Sequence, residues 1–465
     1  MASDDCRIYW DIYSLLNQPS LSRVLTAKDT LALAFGAMIG WGWVVLTGDW
    51  ITMAGSLGAI LAFGIGGLMV TLIGLTYAEL ASAMPEVGGE HAYSYRALGA
   101  GASFICTWAI VLGYVSVVAF EAVALPTVME YLLPGFKKIQ LWDVGDERVY
   151  LSWVLVGSMG AATMTWLNIR GVRASALLQQ TVTVCILVSG ALLLLGAVNA
   201  GAPSNMEPLF STGSKGVLMV LIMTPFMFVG FDVIPQAAAE LNIPHKQIGR
   251  LLLASVLLAV TWYVAMISGV ALVLPNQQLN DSNLPTAEAM QVAFGSPIAG
   301  QLLIIVGIGG IITSWNAFLI GGSRAVYAMA LAKMLPDFLT KLHPVYKTPV
   351  NAILMIGTVS FFAPLFGKNA MTWLVNAGGL GIVLAYALVA ISFLVLRKRE
   401  PDMPRPFKVP QGSIVGLTAV ALSVGMCALY LPGSPAALLW PYEWALILLW
   451  SGAGLALYIK YVKKS

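Results

Sequence analysis

Gly36-Ala37-Met38-Ile39-Gly40-Trp41-Gly42-Trp43 places three glycines inside an apolar stretch that carries no charged residue from Thr30 to Gly48. Glycine costs a helix interior about 1 kcal/mol relative to alanine. Backbone released from a helix within lipid must be buried in protein or line a wet cavity. The stretch therefore reads as a membrane helix interrupted around something that needs bare amide and carbonyl groups. Transporters hold solutes in this way.

The rest of the chain supports that reading. Its 465 residues are 58% hydrophobic and only 10% charged, with a mean hydropathy of +0.83. Soluble domains carry about 25% charged residues, so the composition implies an all-α polytopic membrane protein. At about 20 apolar residues per crossing, twelve transmembrane helices are predicted. They lie at 29–54, 57–84, 101–132, 149–168, 174–198, 215–239, 248–274, 298–332, 349–366, 370–396, 412–430 and 440–461. Of the 25 Lys and Arg, all but Lys137, Lys138, Arg148, Lys215 and Lys368 fall on the side of the termini. The positive-inside rule makes that side cytoplasmic, so a multi-pass protein of the cell membrane with both termini inside is expected. The net charge of +3 is then a topology signal, and no nucleic-acid partner is expected.

No cleavable signal peptide is visible, since Asp4 and Asp5 open the chain without an apolar core behind them. Cys6, Cys106, Cys185 and Cys427 make no disulfide or metal framework. Residues 1–27 read as a cytoplasmic lead with an interfacial helix around Tyr9, Trp10, Ile12, Tyr13, Leu15 and Leu16. The stretch Arg397–Pro410 is too rich in Pro and charge to be anything but a cytoplasmic loop.

A second interruption lies in helix 6, at Met223-Thr-Pro225-Phe-Met-Phe228-Val-Gly230-Phe-Asp232-Val-Ile-Pro235. Each proline deletes a backbone donor and clashes with the preceding turn. Two broken helices five spans apart are what a 5+5 inverted repeat produces, with the site between them. The plainer alternative is a pair of kinked packing helices with glycine at close contacts.

Four motifs in order resemble the amino acid–polyamine–organocation transporters, in particular the branch of the cationic amino-acid permeases. They are Gly36-Ala-Met-Ile39-Gly40-Trp-Gly42 on helix 1, and Tyr77-Ala-Glu79-Leu80 with Met84-Pro85-Glu-Val-Gly88-Gly89-Glu-His-Ala92-Tyr93 after helix 2. Helix 6 adds Phe228-Val-Gly230-Phe-Asp232, and helix 8 ends in Ser323-Arg324-Ala-Val-Tyr327-Ala-Met329. The resemblance covers roughly 28–400, the expected transport core of helices 1–10. It implies a LeuT-like fold, with residues 401–465 supplying two extra C-terminal helices and a short tail. It also implies that a solute carboxylate meets helix 1 amides and its ammonium meets carbonyls of helices 1 and 6. The matching positions are Ala37, Met38, Gly40, Trp41 and Gly42, then Phe226, Met227, Phe228 and Gly230, with Phe228 as the gating aromatic. In the family a Ser or Thr usually stands where this chain has Trp41. Its ring has three readings: it shrinks the pocket, stacks on a cation, or points away.

Five carboxylates lie in or at the ends of spans: Asp49, Glu79, Glu121, Asp232 and Glu240. A charge at bilayer depth costs about 3 kcal/mol or more and usually faces a cavity or an ion path. Glu79 and Glu240 read as structural, paired with Arg96 or Arg324. Asp49 reads as solvated at a helix end. Glu121 and Asp232 have no basic residue visible at their depth, which suits proton coupling, a cationic amine, or a protonated acid bonded to a carbonyl. Some family members carry a Lys in helix 5 where sodium-coupled relatives bind an ion; Thr181–Leu187 has none. Thr313 and Ser314 on helix 8 resemble the hydroxyl ligands of sodium-coupled relatives, although hydroxyls in spans also bond their own backbone.

The expected function is therefore secondary active transport (a permease) of an amino acid by alternating access, coupled to a proton or a sodium ion. A carboxylate-free amine such as ethanolamine or a polyamine, or exchange of amino acids, is the alternative. No enzyme is expected: His91, His245 and His343 fall in predicted loops, and no Walker-type phosphate loop is present. Beyond the coupling ion no cofactor or firm metal site is expected. The partners expected are the solute and the lipid bilayer; the sequence leaves the oligomeric state open.

Overall fold

The structure is a computed structural model that describes residues 23–463 apart from positions 134, 146, 172 and 283. The interfacial helix expected within residues 1–27 falls at Tyr9–Leu16, outside the described residues. A helix occupies each of the twelve expected windows. Among the described residues nine helices are long and apolar enough to cross a membrane, or ten if the bent pair Ala27–Val45 and Thr47–Ala54 is one span. Leu151–Ile169 and Val350–Phe362, in the fourth and ninth windows, are the helices outside that group.

Both sequence-expected interruptions are present. Helix 1 runs Ala27–Met38, breaks at Ile39–Trp41, resumes as Gly42–Val45 and turns by 65° into Thr47–Ala54. Its start is fixed by a capping box in which Thr26 and Asp29 satisfy each other's amides. Helix 6 runs Gly213–Leu221 and Thr224–Phe228, opens at Val229–Asp232, and closes with Val233–Gln236. Helices 2 (Ser56–Ala83), 3 (Ala100–Leu132), 5 (Arg173–Ala200), 7 (His245–Val273), 8 (Pro297–Leu331) and 10 (Ala370–Arg399) surround the two breaks. Helices 11 (Gly412–Leu429) and 12 (Tyr442–Leu457) lie further along the chain.

One expectation needs correction, and two connections fold where the sequence reading was silent. The fold is all-helical as expected, with one short addition: Gln140–Val144 and Glu147–Tyr150 pair as an antiparallel hairpin in the polar connection before helix 4. The hairpin is anchored where the Trp142 Nε1 donates to the Leu365 carbonyl at 3.0 Å. The connection between helices 7 and 8 also folds, as Asn276–Asp281 and Pro285–Phe294. Glu79, lastly, does not pair with Arg96. It takes Arg397 at 2.9 and 2.5 Å, Arg405 at 3.0 Å and the Val409 amide at 2.7 Å, while Arg96 pairs with Glu400. The Pro-rich loop after helix 10 folds back to deliver Arg405, because a fully buried carboxylate must find partners. Glu240 does pair with Arg324, at 2.8 Å and almost fully buried.

Candidate functional site

The two breaks meet. Gly230 has φ +135°, and a Cβ there would lie 2.8 Å from the Ala37 Cβ and 3.0 Å from the Met38 amide nitrogen. Only glycine lets helix 6 come this close to helix 1. A Cβ on Gly42 would meet the Met227 sulfur at 2.7 Å, so the second half of helix 1 also faces helix 6.

Each break exposes one polarity of backbone. Among the described residues, the amides of Gly40, Trp41, Gly42 and Trp43 meet no backbone carbonyl. These are the orphan donors of a helix start, and they carry a partial positive charge. On helix 6 the carbonyls of Phe226, Met227 and Phe228 receive no hydrogen bond among the described residues, the complementary state of a helix end. Bare donors beside bare acceptors suit a small zwitterion, an anionic group on the amides and an ammonium on the carbonyls.

Glu121 enters from helix 3 and is 1% exposed. A Cβ on Gly40 would stand 2.6 Å from its Oε1 and 2.8 Å from the Ser314 Cβ. Its carboxyl faces the Ser314 hydroxyl and the Trp41 amide, and Oε2 has no partner. Gly40, Trp41, Glu121 and Ser314 thus form one cluster. The Trp41 ring leaves it: the indole packs against helix 8, where a Cβ on Gly307 would collide with it.

The remaining expected residues divide. Phe228 is fully buried in a layer with Phe63, Tyr263 and Trp50, its ring 5.7 Å from Phe63 and 5.5 Å from Tyr263. Phe226 turns away to Phe120 on helix 3 at 5.7 Å. Asp232 accepts the Gly230 amide at 2.8 Å through Oδ1, and its Oδ2 is unpartnered. Beyond the break, Phe231, Tyr77, Tyr93 and Tyr386 form a second aromatic layer. The paired breaks lie between these two layers.

Two residues that the sequence did not single out complete the site. The Tyr263 hydroxyl donates to the Met38 carbonyl at 2.7 Å, taking up an acceptor the helix 1 break frees. Gln179 on helix 5 donates from Nε2 to the Ala32 carbonyl at 3.3 Å and the Thr313 carbonyl at 3.4 Å. Thr313 donates to the Gly36 carbonyl at 3.3 Å. Helix 1 carbonyls and helix 8 hydroxyls do come together, therefore, with the Gln179 amide on Ala32 and the single Thr313 hydroxyl proton shared between Gly36 and the nearer Gly310 carbonyl at 3.1 Å. The signal for Gln179 was an amide inside an apolar span, which must be hydrogen-bonded to be tolerated there.

Two expectations about histidine change. His91 is buried within the short helix Glu90–Leu98, and His245 opens helix 7. Among the described residues no group of three or more His, Cys, Asp or Glu could hold a metal ion.

Comparison with known proteins agrees with this architecture. The model of the amino acid permease family matches residues 25–453. The branched-chain amino acid permease BcaP of Bacillus subtilis is 28% identical over 467 residues, covering 96% of this chain and 94% of that protein. The methylthioribose transporter of the same organism is 26% identical over 449 residues, covering 96% and 94%. Human cationic amino acid transporter 4 is 26% identical over 403 residues, covering 83% of this chain and 62% of its own. A match that runs through both broken helices and almost the whole chain identifies this protein as a member of the amino acid permease family.

Proposed function

We propose that the chain is a secondary transporter that moves an α-amino acid with an apolar side chain by alternating access, coupled to protons. Twelve crossings, a 5+5 inverted repeat and cytoplasmic termini complete the proposal. One observation carries it: among the described residues, the helix 1 amides of Gly40, Gly42 and Trp43 meet no backbone carbonyl and stand beside open carbonyls of helix 6 at Phe226–Phe228, with the breaks in contact at Gly230 and the Trp41 amide turned to Glu121. That pair of polarities matches the two ends of an amino acid backbone. Phe228, Phe63, Tyr263 and Met227 offer a side chain apolar surface, and the relationship to BcaP favours the same class. Protons are favoured over sodium because the Glu121 carboxyl is buried at the helix 1 break with one oxygen unpartnered, placed to take up a proton.

A second reading, a carboxylate-free solute, rests on Glu121. It faces the Trp41 amide, where a solute carboxylate would bind, and the relationship to the methylthioribose transporter points the same way. Uptake of radiolabelled L-leucine into proteoliposomes under a proton or a sodium gradient separates the readings. The leading one expects proton-driven leucine uptake, competed by isoleucine and valine but not by 3-methylbutylamine, the decarboxylated leucine. Equal competition by the amine, or uptake of methylthioribose alone, would overturn it.

A further inference from the structure

The Glu90–Leu98 helix buries a carboxylate that the solute site does not use. Glu90 is fully buried, and its Oε2 accepts a hydrogen bond from the Gln236 side chain. Gln236 lies one helical turn after Asp232, so the two share a face. Asp232 is also fully buried, with one oxygen on the Gly230 amide. The two acids therefore look into one space beneath the helix 6 break.

That space is lined by buried polar atoms whose hydrogen bonding the protein leaves open or only loosely closed. The Glu90 Oε1, Asp232 Oδ2, Gln236 Oε1 and the hydroxyls of Tyr77, Tyr93, Tyr114 and Tyr386 are all buried and make no closed hydrogen bond. The Tyr77 hydroxyl faces Glu90, and the Tyr114 hydroxyl faces Asp232. Buried polar groups almost always have a partner, protein or water. Beside the two acid–tyrosine contacts, the Tyr93 and Tyr386 hydroxyls and the Gln236 Oε1 are left open, a cluster that small mobile partners would satisfy. The titratable groups around it are Tyr77 on helix 2, His91 and Tyr93 on the short helix, Cys106 and Tyr114 on helix 3 and Tyr386 on helix 10. Glu86 acts on Tyr93 from the preceding loop. His91 is turned to the Ser103 hydroxyl at 3.0 Å. Among the described residues neither Lys nor Arg acts on either acid.

We infer that Glu90 and Asp232 form a proton-holding site, in which the two carboxylates share one proton and bound water and the four tyrosine hydroxyls bridge them. Two buried like charges without a counter-ion cannot both stay ionised. The proton comes from hydronium, leaving water behind, and returns to water when the compartment opens. The site is separate from Glu121: it lies on the helix 6 side of the break and reports on that half of the transport cycle. Its link to uptake rests on the function proposed above; its existence does not.

Infrared difference spectra of the full-length protein in nanodiscs, taken across a pH titration, test it directly. One carboxylic-acid C=O band, sensitive to deuterium exchange, should be present in the native protein and absent in both E90Q and D232N. It should persist, shifted, in E90D, a variant that also controls for folding. A band unchanged in E90Q and D232N overturns the proposal, and so does a different band lost in each, since the acids would then titrate independently. Leucine uptake reads the coupling: E90Q should lower the ratio of proton-driven accumulation to counterflow at least tenfold. Loss of the shared band with that ratio unchanged keeps the proton site and overturns only its part in uptake.

Discussion

Replacing Gly230 with alanine tests whether the two breaks must touch. The residue holds φ +135°, a region L side chains rarely adopt, at about 1–3 kcal/mol for a non-glycine residue. The added methyl would sit 2.8 Å from the Ala37 Cβ and 3.0 Å from the Met38 nitrogen. Neither is the far end of a flexible side chain, so the contact adds about 1–3 kcal/mol of overpacking. Together these come to about 2–6 kcal/mol. At 1.4 kcal/mol per decade, even the low end weakens solute affinity about 30-fold if helix 6 slides off helix 1. If helix 6 holds, the same energy lowers the melting temperature instead. Competition against radiolabelled leucine and thermal unfolding of the purified protein measure both. Gly64→Ala, on helix 2 with nothing within 4 Å, should change neither by more than about 0.5 kcal/mol. The double variant A37G/G230A should recover part of the loss. G230A with native affinity and native melting would refute the contact between the breaks.

Three further outcomes follow from individual contacts. Y263F removes the hydroxyl that satisfies the Met38 carbonyl; a buried acceptor left bare costs about 1–3 kcal/mol, so affinity for leucine should fall about tenfold. E240Q strands the buried Arg324 and should cost about 3–5 kcal/mol, read as lost melting temperature, whereas R96A breaks a pair whose Arg is 41% exposed and should stay within about 1 kcal/mol. Burial pushes the His91 imidazole, in the connection between helices 2 and 3, from 6.5 down to about 4. The folded state then holds fewer protons than the unfolded one, so stability should fall as pH drops from 6.5 toward 4, and H91Q should flatten that part of the melting-versus-pH curve.

The breaks were legible because glycine and proline act locally: Gly40, Gly42 and Gly230 declare their backbone in the sequence itself. The Arg324–Glu240 pair was legible because a buried carboxylate must find a cation and few were within reach. Glu79 misled for the same reason, since its partners follow some 320 residues later, Arg397 at the end of helix 10 and Arg405 on the loop beyond it, whose path no local pattern encodes. Tyr263 and Gln179 were missed because their roles exist only once helices 7 and 5 lie against helix 1. Glu90 sat in a quoted motif but at a position the motif leaves free, so nothing in it pointed to Asp232. Trp41 could not be placed from sequence, since its ring needs the gap that Gly307 leaves on another helix.

Glu121 decides between the two classes of solute through the sign of one pH effect. Its carboxyl faces the Trp41 amide, where the carboxylate of an amino acid would also bind. Two unit charges about 4 Å apart at an effective dielectric of about 20 interact by about 4 kcal/mol, close to a thousandfold in affinity. An ionised Glu121 therefore repels an amino acid's carboxylate by about that much, and a protonated one does not. By linkage the bound carboxylate favours the proton by the same factor, which is proton coupling in its simplest form. An amine without a carboxylate reverses the sign, because an ionised Glu121 attracts its ammonium. Competition curves across pH should thus show leucine binding more tightly as pH falls, and E121Q should abolish that dependence while keeping leucine affinity near its low-pH value. Leucine affinity that rises with pH, or that stays pH-dependent in E121Q, would remove Glu121 from the coupling and return the case to a carboxylate-free solute.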